Sequence, residues 1–294
     1  YVANDKDMNL LFINNGRGRF TESSMILGAG FNANGLAEAG MGVDVGDINR
    51  NGLLDIFVTN YSGETNTLYL NQGHGLFLDE TDFKGLGRPS FHFLAFGTKF
   101  VDFNLDGWLD LYVGNGHVID NINLFNNQYS HRQHDQIYMN ESGTFTDQTK
   151  LIGLDLLDKF VTRGVARADI DNDGDIDLII SNNNDEASLL INEGVPQNNW
   201  IGFYLKGVEA NRQAIGSKIK IHTNSGSQVS YVNPSGSYLS SNDQRIVFGL
   251  GKEEKVKMVE IFWAGGIEKE IFNNLDSNYY YKIIEGVSIS IITY

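Results

Sequence analysis

Cysteine is absent from this 294-residue chain, and basic residues are scarce beside acidic ones. The lack of cysteine excludes disulfides, thiolate catalysis and cysteine-ligated zinc. The chain has 22 Lys and Arg against 37 Asp and Glu, which gives a formal net charge of −15 at pH 7. This acidic balance disfavours nucleic acids and anionic lipids as partners, and it suits the binding of cations.

Long apolar runs and familiar catalytic motifs are also missing. No stretch approaches 18 consecutive apolar residues, so membrane insertion is not expected. The chain contains no Gly-X-Ser-X-Gly elbow, His-Glu-X-X-His motif, phosphate-binding loop or dinucleotide fingerprint. Helix signals are weak throughout, whereas short apolar runs alternate with turns rich in Gly, Asn and Ser. This pattern predicts an all-β protein.

One acidic nine-residue pattern occurs three times, beginning at positions 47, 102 and 169. Each copy has oxygen-bearing side chains at its first, third, fifth and ninth positions, with Gly at the sixth. Calcium takes six to eight oxygen ligands at about 2.3–2.6 Å, and the Gly permits the positive φ that folds the loop around an ion. The predicted metal ligands of the three loops are Asp47, Asn49, Asn51 and Asp55; Asp102, Asn104, Asp106 and Asp110; and Asp169, Asp171, Asp173, Asp175 and Asp177.

The three loops therefore predict about three calcium ions per chain, one in each loop. The alternative is a solvated acidic turn, since Asp, Asn and Gly all favour turns, but repetition at fixed positions favours calcium. Two, three and four carboxylates fall at these positions in the first, second and third loops. Because ligand charge tunes affinity, we expect the third loop to bind tightest and the first weakest. We interpret the ions as structural, because each neutralises carboxylates that would otherwise repel.

A second repeated motif accompanies the loops, with an Asn-Gly turn between two short apolar runs. Its copies lie at 9–20, 67–77 and 136–145, with a shortened copy at 188–194. Such a motif is a strong signal for a β-hairpin. Since apolar runs also flank each acidic loop, the repeating unit has four antiparallel strands. A unit of this kind predicts the blade of a β-propeller.

The two ends of the chain lead to different expectations. Residues 1–4 align with the strand that follows an acidic loop, so we expect the chain to begin inside a blade, with further blades upstream. Beyond residue 198 the acidic loops stop and strands with a two-residue period take over, which predicts a small β-sandwich-like domain. The predicted domains are blades over 1–197, the C-terminal part of a propeller, and a β domain over 198–294.

Both parts resemble known families. The acidic loops with their flanking strands, at 96–117 and 163–177, resemble FG-GAP/VCBS repeats, the blade type of integrin α-subunit propellers. The C-terminal part resembles the ASPIC/UnbV domain through Asn199-Trp200, Asn211-Arg212 and the segments 248–251 and 259–263. The pairing is similar to the cartilage-acidic-protein-like group. It implies a calcium-binding protein that is secreted, periplasmic or on the cell surface.

An insertion between the strands of the second blade carries another candidate site. It contains the donor residues His117, His131, His134 and Asp135. Imidazole and carboxylate suit zinc or copper, so a transition-metal site is one interpretation. Ordinary solvated histidines are the other, because a polar loop does not fix ligand spacing. Since long ordered loops tend to be functional, the insertion is also a candidate ligand surface.

Two hypotheses of function follow. The first is an exported, calcium-stabilised propeller module that binds an unknown protein or carbohydrate partner. The alternative is a secondary-metabolite tailoring enzyme or metalloenzyme that uses the propeller channel or the insertion at 115–136. Calcium as the sole bound metal favours the first hypothesis, whereas stoichiometric copper, zinc or iron favours the second.

Overall fold

β-Strands make up nearly all the regular structure of this chain. A computed structural model describes residues 1–154, 157–195, 197–266 and 269–293. Helical structure in this part consists of α1 (Ser24–Leu27), α2 (Gly87–Ser90) and a 3-10 turn at Ile122–Leu124. None of the described helices is long and apolar enough to span a membrane. The all-β prediction is confirmed.

The N-terminal two thirds forms a series of antiparallel sheets of the propeller type. The first is a hairpin of β1 (Phe12–Asn14) and β2 (Phe20–Glu22). The next contains β3 (Val43–Gly46), β4 (Asp55–Val58), β5 (Thr67–Asn71) and β6 (Phe77–Asp79) in chain order. We call this sheet the first blade, because it carries the first acidic loop between β3 and β4.

The second and third blades repeat this plan. The second consists of β7 (Ala95–Val101), β8 (Asp110–Asn115), β9 (Gln136–Glu141) and β10 (Thr144–Asp147). The third has three strands, β11 (Thr162–Ala168), β12 (Asp177–Asn182) and β13 (Ser188–Leu190). In every blade the acidic loop connects the first two strands, as predicted.

Neighbouring blades pack face to face and share apolar cores. Phe57 and Leu68 of the first blade lie in one buried cluster with Phe100, Leu111 and Tyr138 of the second. A further cluster joins the second blade to the third. Burying such side chains between sheets is the main stabilising interaction of stacked blades.

The first strands of the blades lie side by side. Asp44 on β3 accepts hydrogen bonds from Lys99 Nζ (2.7 Å) and from the amide of Phe100 (2.8 Å) on β7. At Gly97 the strands β7 and β11 approach so closely that a Cβ atom would lie 2.9 Å from the carbonyl oxygen of Arg163. These strands are therefore the inner strands of the blades.

The C-terminal region is a sandwich of two four-stranded sheets. Its strands are β14 (Asn199–Lys206), β15 (Lys218–His222), β16 (Ser227–Tyr231), β17 (Ile246–Gly251), β18 (Lys255–Phe262), β19 (Glu270–Asp276), β20 (Tyr280–Ile284) and β21 (Ser288–Ile292). The sheet orders are β17-β14-β20-β21 and β16-β15-β18-β19, and only β14 and β20 pair in parallel. Both sheets contribute side chains to a single core.

Strand β19 was not anticipated from the sequence. Its side chains are mostly exposed, and Asn274 adopts a positive φ of 56° in its middle. An exposed strand interrupted in this way gives little apolar alternation to detect. The predicted limits of the two domains stay a prediction; the last blade strand ends at Leu190, and the first sandwich strand begins at Asn199.

Residues 233–242, which we call the strap, leave the sandwich and run along the inner strands. The amide of Ser237 donates to the carbonyl oxygen of Val43 on β3 (2.7 Å). Its Oγ accepts hydrogen bonds from the amides of Thr98 on β7 (3.1 Å) and Val165 on β11 (3.3 Å). One serine thus connects three blades. No turn or strand signal in the sequence indicated this contact.

The Asn of the hairpin motif does more than form a turn. Asn140 Nδ2 donates to Leu109 O in its own blade and to Ile48 O in the acidic loop of the preceding blade, both at 2.9 Å. Asn192 makes the equivalent bond to Phe103 O of the second loop (2.9 Å). The motif therefore ties the second blade to the first loop and the third blade to the second loop.

Replacing Asn140 by Ala should cost more stability than replacing Asn71 by Ala. Both side chains accept a turn amide and donate within their own blade, but among the described residues only Asn140 also bonds to a neighbouring loop. The buried carbonyl of Ile48 would lose its partner, an added cost of about 1–3 kcal/mol. Urea unfolding of the two variants in calcium measures this difference. Equal losses would mean that the bond between blades contributes nothing.

Candidate metal centre

The first carboxylate of each acidic loop folds the loop back on itself in the same way. Its Oδ2 accepts a hydrogen bond from the amide of the sixth-position Gly, at 2.8 Å in the first loop, 2.7 Å in the second and 2.9 Å in the third. These carboxylates, Asp47, Asp102 and Asp169, are all buried. The three loops therefore share one internal geometry, as their common sequence pattern predicts.

The ninth-position carboxylate connects the loop to the hairpin of its own blade. Asp110 accepts hydrogen bonds from the amides of Phe103 (3.0 Å) and Asn140 (2.8 Å). The corresponding bonds of the other loops are Ile48 N and Asn71 N to Asp55, and Ile170 N and Asn192 N to Asp177. Each of these carboxylates is almost completely buried. The position is therefore structural whether or not it also contacts an ion.

Two residues of every loop adopt a left-handed backbone conformation. The sixth-position Gly has φ of 85°, 88° and 99° in the three copies, as expected. The fourth position also has positive φ, at 56° for Arg50, 59° for Leu105 and 65° for Asn172. The positive φ at the fourth position was not predicted, because Arg and Leu seldom adopt that conformation. The tight curl of the loop imposes it.

Burial makes the loop carboxyls reluctant to ionise. It raises the pKa of Asp55 to about 7 and the pKa values of Asp102 and Asp110 to about 8. The pKa of Asp175 also rises to about 8, because of burial first and the neighbouring Asp173 carboxylate second. A cation among these oxygens would favour their charged forms. Arg50 is the one basic residue in the three loop sequences, and none of the loop carboxylates forms an ion pair with a described residue.

The carboxylates converge most closely in the third loop. Asp169, Asp171 and Asp177 bring oxygens within 4.8 Å of one another, and no other three His, Asp or Glu side chains in the described ranges do so. Asp169 Oδ1 and Asp175 Oδ1 are buried without a hydrogen-bond partner. Unpaired carboxylate oxygens are the ligands that a hard cation accepts. The donor set of this loop therefore fits calcium.

The second and third loops also receive hydrogen bonds, from the first loop and from the sandwich respectively. Arg50 of the first loop donates to the carbonyl oxygens of Asp106 and Gly107 in the second, both at 2.9 Å, and lies 4.2 Å from the Trp108 ring centroid. From the sandwich, Tyr280 Oη donates to Asp169 Oδ2 (2.5 Å). The loops are thereby joined to one another and to the C-terminal domain.

The sandwich rests directly on the second and third loops. The amide of Gly251 donates to Leu105 O (2.8 Å), and Asn198 Nδ2 donates to Asn104 O (2.7 Å). Leu105 packs in a small cluster with Trp200 and Tyr280 of the sandwich. The candidate metal loops therefore form the surface on which the second domain is seated. Sequence reasoning treated the two regions separately and missed this contact.

The histidines of the insertion are arranged differently. His117 is fully buried, its Nδ1 accepts the amide of Ile119 (3.1 Å), and its Nε2 is buried without a partner. Asp135 accepts hydrogen bonds from Tyr112 Oη (2.7 Å), Asn115 N (2.7 Å) and Thr162 Oγ1 (3.0 Å), so its oxygens are engaged. Within the described chain, no three of His117, His131, His134 and Asp135 form a ligand group. The transition-metal site stays a prediction.

Gly174→Ala should destabilise the protein much more than Gly52→Ala, although both residues hold the sixth loop position. A Cβ at Gly52 meets nothing within 4 Å, so only backbone strain of roughly 1–2 kcal/mol is expected. A Cβ at Gly174 would overlap the indole of Trp200, adding about 1–3 kcal/mol of overpacking. Thermal unfolding in calcium compares the two. Equal losses would contradict the close seating of the sandwich on the third loop.

Comparison with known proteins agrees with this architecture. The model of the FG-GAP-like repeat family matches residues 1–58, 47–113 and 102–180, and that of the ASPIC and UnbV family matches 207–290. The second and third matches each begin at one acidic loop and end in the strand that follows the next acidic loop. The repeats together cover more than half of the chain.

Relatives with curated names include cartilage acidic protein 1 of human and mouse. The human protein is 26% identical, with 97% of this chain and 41% of that protein covered. The mouse protein is 27% identical, with 78% and 42% covered. This chain thus spans about two fifths of the length of these relatives.

A solved structure of an Agrocybe aegerita lectin, described for its recognition of non-reducing terminal N-acetylglucosamine, is also similar. The likeness has a TM-score of 0.39 and 19% identity, and covers 65% of this chain and 45% of the lectin chain. It is too loose to bear on function. The repeat and domain matches confirm the resemblance seen in the sequence: the chain belongs to the FG-GAP-like repeat family and carries an ASPIC and UnbV domain after its repeats.

Proposed function

We propose that this chain is a calcium-stabilised binding module of an exported protein. In this proposal, calcium in the acidic loops holds the blades and the sandwich together, and an exposed loop surface contacts a protein or carbohydrate partner. The observation that carries the proposal is the shared geometry of the three loops, whose buried carboxylates form no ion pair with any described residue. An exported location fits this role, because extracellular calcium modules work at about 10⁻⁴–10⁻³ M calcium.

The arrangement supports a structural ion. A partner would have difficulty reaching the second and third loops, since the sandwich covers them through Asn198, Trp200 and Gly251. Convergence of carboxylates in the third loop also supports the expected order of affinity. A calcium titration in which Asp55→Asn, rather than Asp177→Asn, abolishes the tightest step would contradict that order.

The partner surface that we favour is the insertion at 116–135. Strand β8 begins at the acidic loop and ends at the insertion, so the insertion lies at the opposite end of the blade from the candidate metal site. It is anchored by Gln133, whose buried Oε1 accepts the amide of Leu94 (3.0 Å). Yet Leu124 and Phe125 are 76% and 77% exposed. Exposed apolar side chains on an anchored segment are typical of an interaction site.

One observation favours the metalloenzyme alternative. Burial lowers the pKa of His117, which keeps the ring neutral, and its Nε2 has no partner. A neutral imidazole nitrogen is a good ligand for zinc or copper. Metal analysis of the purified chain separates the two functions: one zinc or copper per chain, lost in His117→Gln, would support the enzyme and contradict calcium as the only metal.

The metal-free chain should become less stable as the pH rises. Unfolded Asp has a pKa of about 3.9, whereas the folded pKa is about 7 for Asp55 and about 8 for Asp102 and Asp110. Between these values the unfolded chain releases protons that the folded chain retains, so the free energy of unfolding falls from about pH 4 to about pH 8. Thermal melts in chelator at about pH 5.5 and pH 8 measure this.

Added calcium should reverse the trend, because the ion binds the ionised carboxylates and displaces their protons. The rise in melting temperature at about 2 mM calcium is expected to be larger at pH 8 than at pH 5.5. Magnesium at the same concentration controls for ionic strength. An equal rise at both pH values, or a chelated chain that melts higher at pH 8, would contradict calcium binding by these carboxylates.

Binding to a partner should depend on the insertion. We expect the chain, in calcium, to bind members of a glycan array or an array of extracellular proteins. The double substitution Leu124→Asp and Phe125→Asp should weaken that binding at least about tenfold, or about 1.4 kcal/mol. Phe83→Asp is the matched control, since Phe83 is 83% exposed on a different loop. Binding unaffected by the double substitution, or absent from both arrays, would contradict this function.

A further inference from the structure

A cavity of about 300 Å³ lies between the blades and the sandwich. Inner-strand residues Asp44, Lys99 and Arg167 form one side, and strands β16 and β17 with the start of the strap form the other. This size is at the lower end of the range for small-molecule sites. Its position is separate from the insertion that the proposed function uses.

Arg167 is the unusual residue of this cavity. Its backbone is fixed, because its amide donates to Asn242 Oδ1 (3.0 Å) and its carbonyl accepts the amide of Asp243 (3.1 Å). Its guanidinium, by contrast, has no ion pair or hydrogen bond with any residue of the described ranges. The side chain is partly buried. A guanidinium offers five N–H donors, so the Arg167 side chain is available to an anionic ligand at the cavity wall.

The acidic groups near Arg167 are already engaged. Asp44 accepts Lys99 Nζ with one oxygen and the amide of Phe100 with the other, and both members of the Asp44–Lys99 pair are less than 5% exposed. Asp243 pairs with Arg245 Nε at 2.5 Å. Both acids contribute to the electrostatic environment of Arg167, but neither forms an ion pair with it. The cavity lining thus holds two cationic side chains and two carboxylates, Asp44 and Asp102, and each carboxylate accepts hydrogen bonds with both oxygens.

The other lining residues include apolar side chains and side chains with hydroxyl groups. The apolar residues are Leu54, Leu109, Ile176, Ile215 and Val247, and Ser230 and Tyr231 add hydroxyls. An inorganic anion would leave the apolar wall unused, whereas an uncharged apolar molecule would leave the guanidinium unpaired. A molecule with one carboxylate and an apolar body satisfies both.

We propose that this cavity binds a small organic carboxylate, with the carboxylate paired to the Arg167 guanidinium and the apolar body packed against Leu109, Ile176 and Val247. Planar carboxylates match the guanidinium fork in a bidentate pair. The ligand would bridge the inner strands and the sandwich, so its binding would also strengthen the contact between the two domains.

The test uses octanoate as the probe and the whole chain. The buffer contains about 1 mM calcium, so that the acidic loops are filled with calcium during the titration. Calorimetry should show one octanoate per chain with a Kd below about 1 mM, and at least about tenfold weaker binding of 1-octanol and of inorganic phosphate. Absence of octanoate binding at about 10 mM would overturn the proposal. So would equal binding of 1-octanol, because the guanidinium would then have no role.

Two variants locate the site. Arg167→Met should lose at least about tenfold in octanoate affinity, whereas the control Arg212→Met, at an exposed arginine of the sandwich, should bind like the wild type. Without ligand, Arg167→Met should melt no lower than the wild type, since it removes an unpaired charge. A large fall in its melting temperature would instead show a structural arginine and overturn the proposal.

Val247→Trp provides a second test that leaves Arg167 in place. The larger side chain should fill the cavity and abolish octanoate binding while the calcium-dependent melt is retained. Octanoate binding that survives both Arg167→Met and Val247→Trp would place the ligand elsewhere and contradict the assignment.

Discussion

Carboxylates buried without an ion pair to any described residue are the constraint on which the rest of this structure depends. The first and ninth positions of each acidic loop are buried where strands, hairpin and neighbouring domain meet, and burial opposes their ionisation. Backbone amides satisfy some of the oxygens but supply no net charge. A cation at each loop would resolve this conflict, and the loop geometry would then hold the blade in shape.

The loops also organise the assembly beyond their own blades. Arg50 connects the first loop to the second, and the hairpin Asn of one blade reaches the loop of the blade before it. The sandwich rests on the second and third loops, and Ser237 of the strap bonds to three inner strands. Loss of the ions would therefore be expected to affect the domain contact as well as the blades.

Local patterns in the sequence predicted most of the fold. Asn-Gly hairpins, alternating strands and the repeated acidic loops depend on neighbouring residues, so they are readable from a short window. The strap, the seating of the sandwich and the surroundings of Arg167 depend on contacts between residues far apart in the sequence, and no local pattern encodes them. The positive φ at Arg50 and Leu105 was missed for a related reason, because the closed loop imposes a conformation that these residues do not prefer.

A calcium titration of the metal-free chain by calorimetry, at about pH 8, would show whether the loops bind calcium. We expect about three ions per chain, one for each loop, with proton release on binding because the carboxyls are partly protonated beforehand. Binding of no calcium, or binding without proton release, would contradict this expectation. The acidic loops would then be hydrogen-bonded turns whose charge is relieved by protons alone.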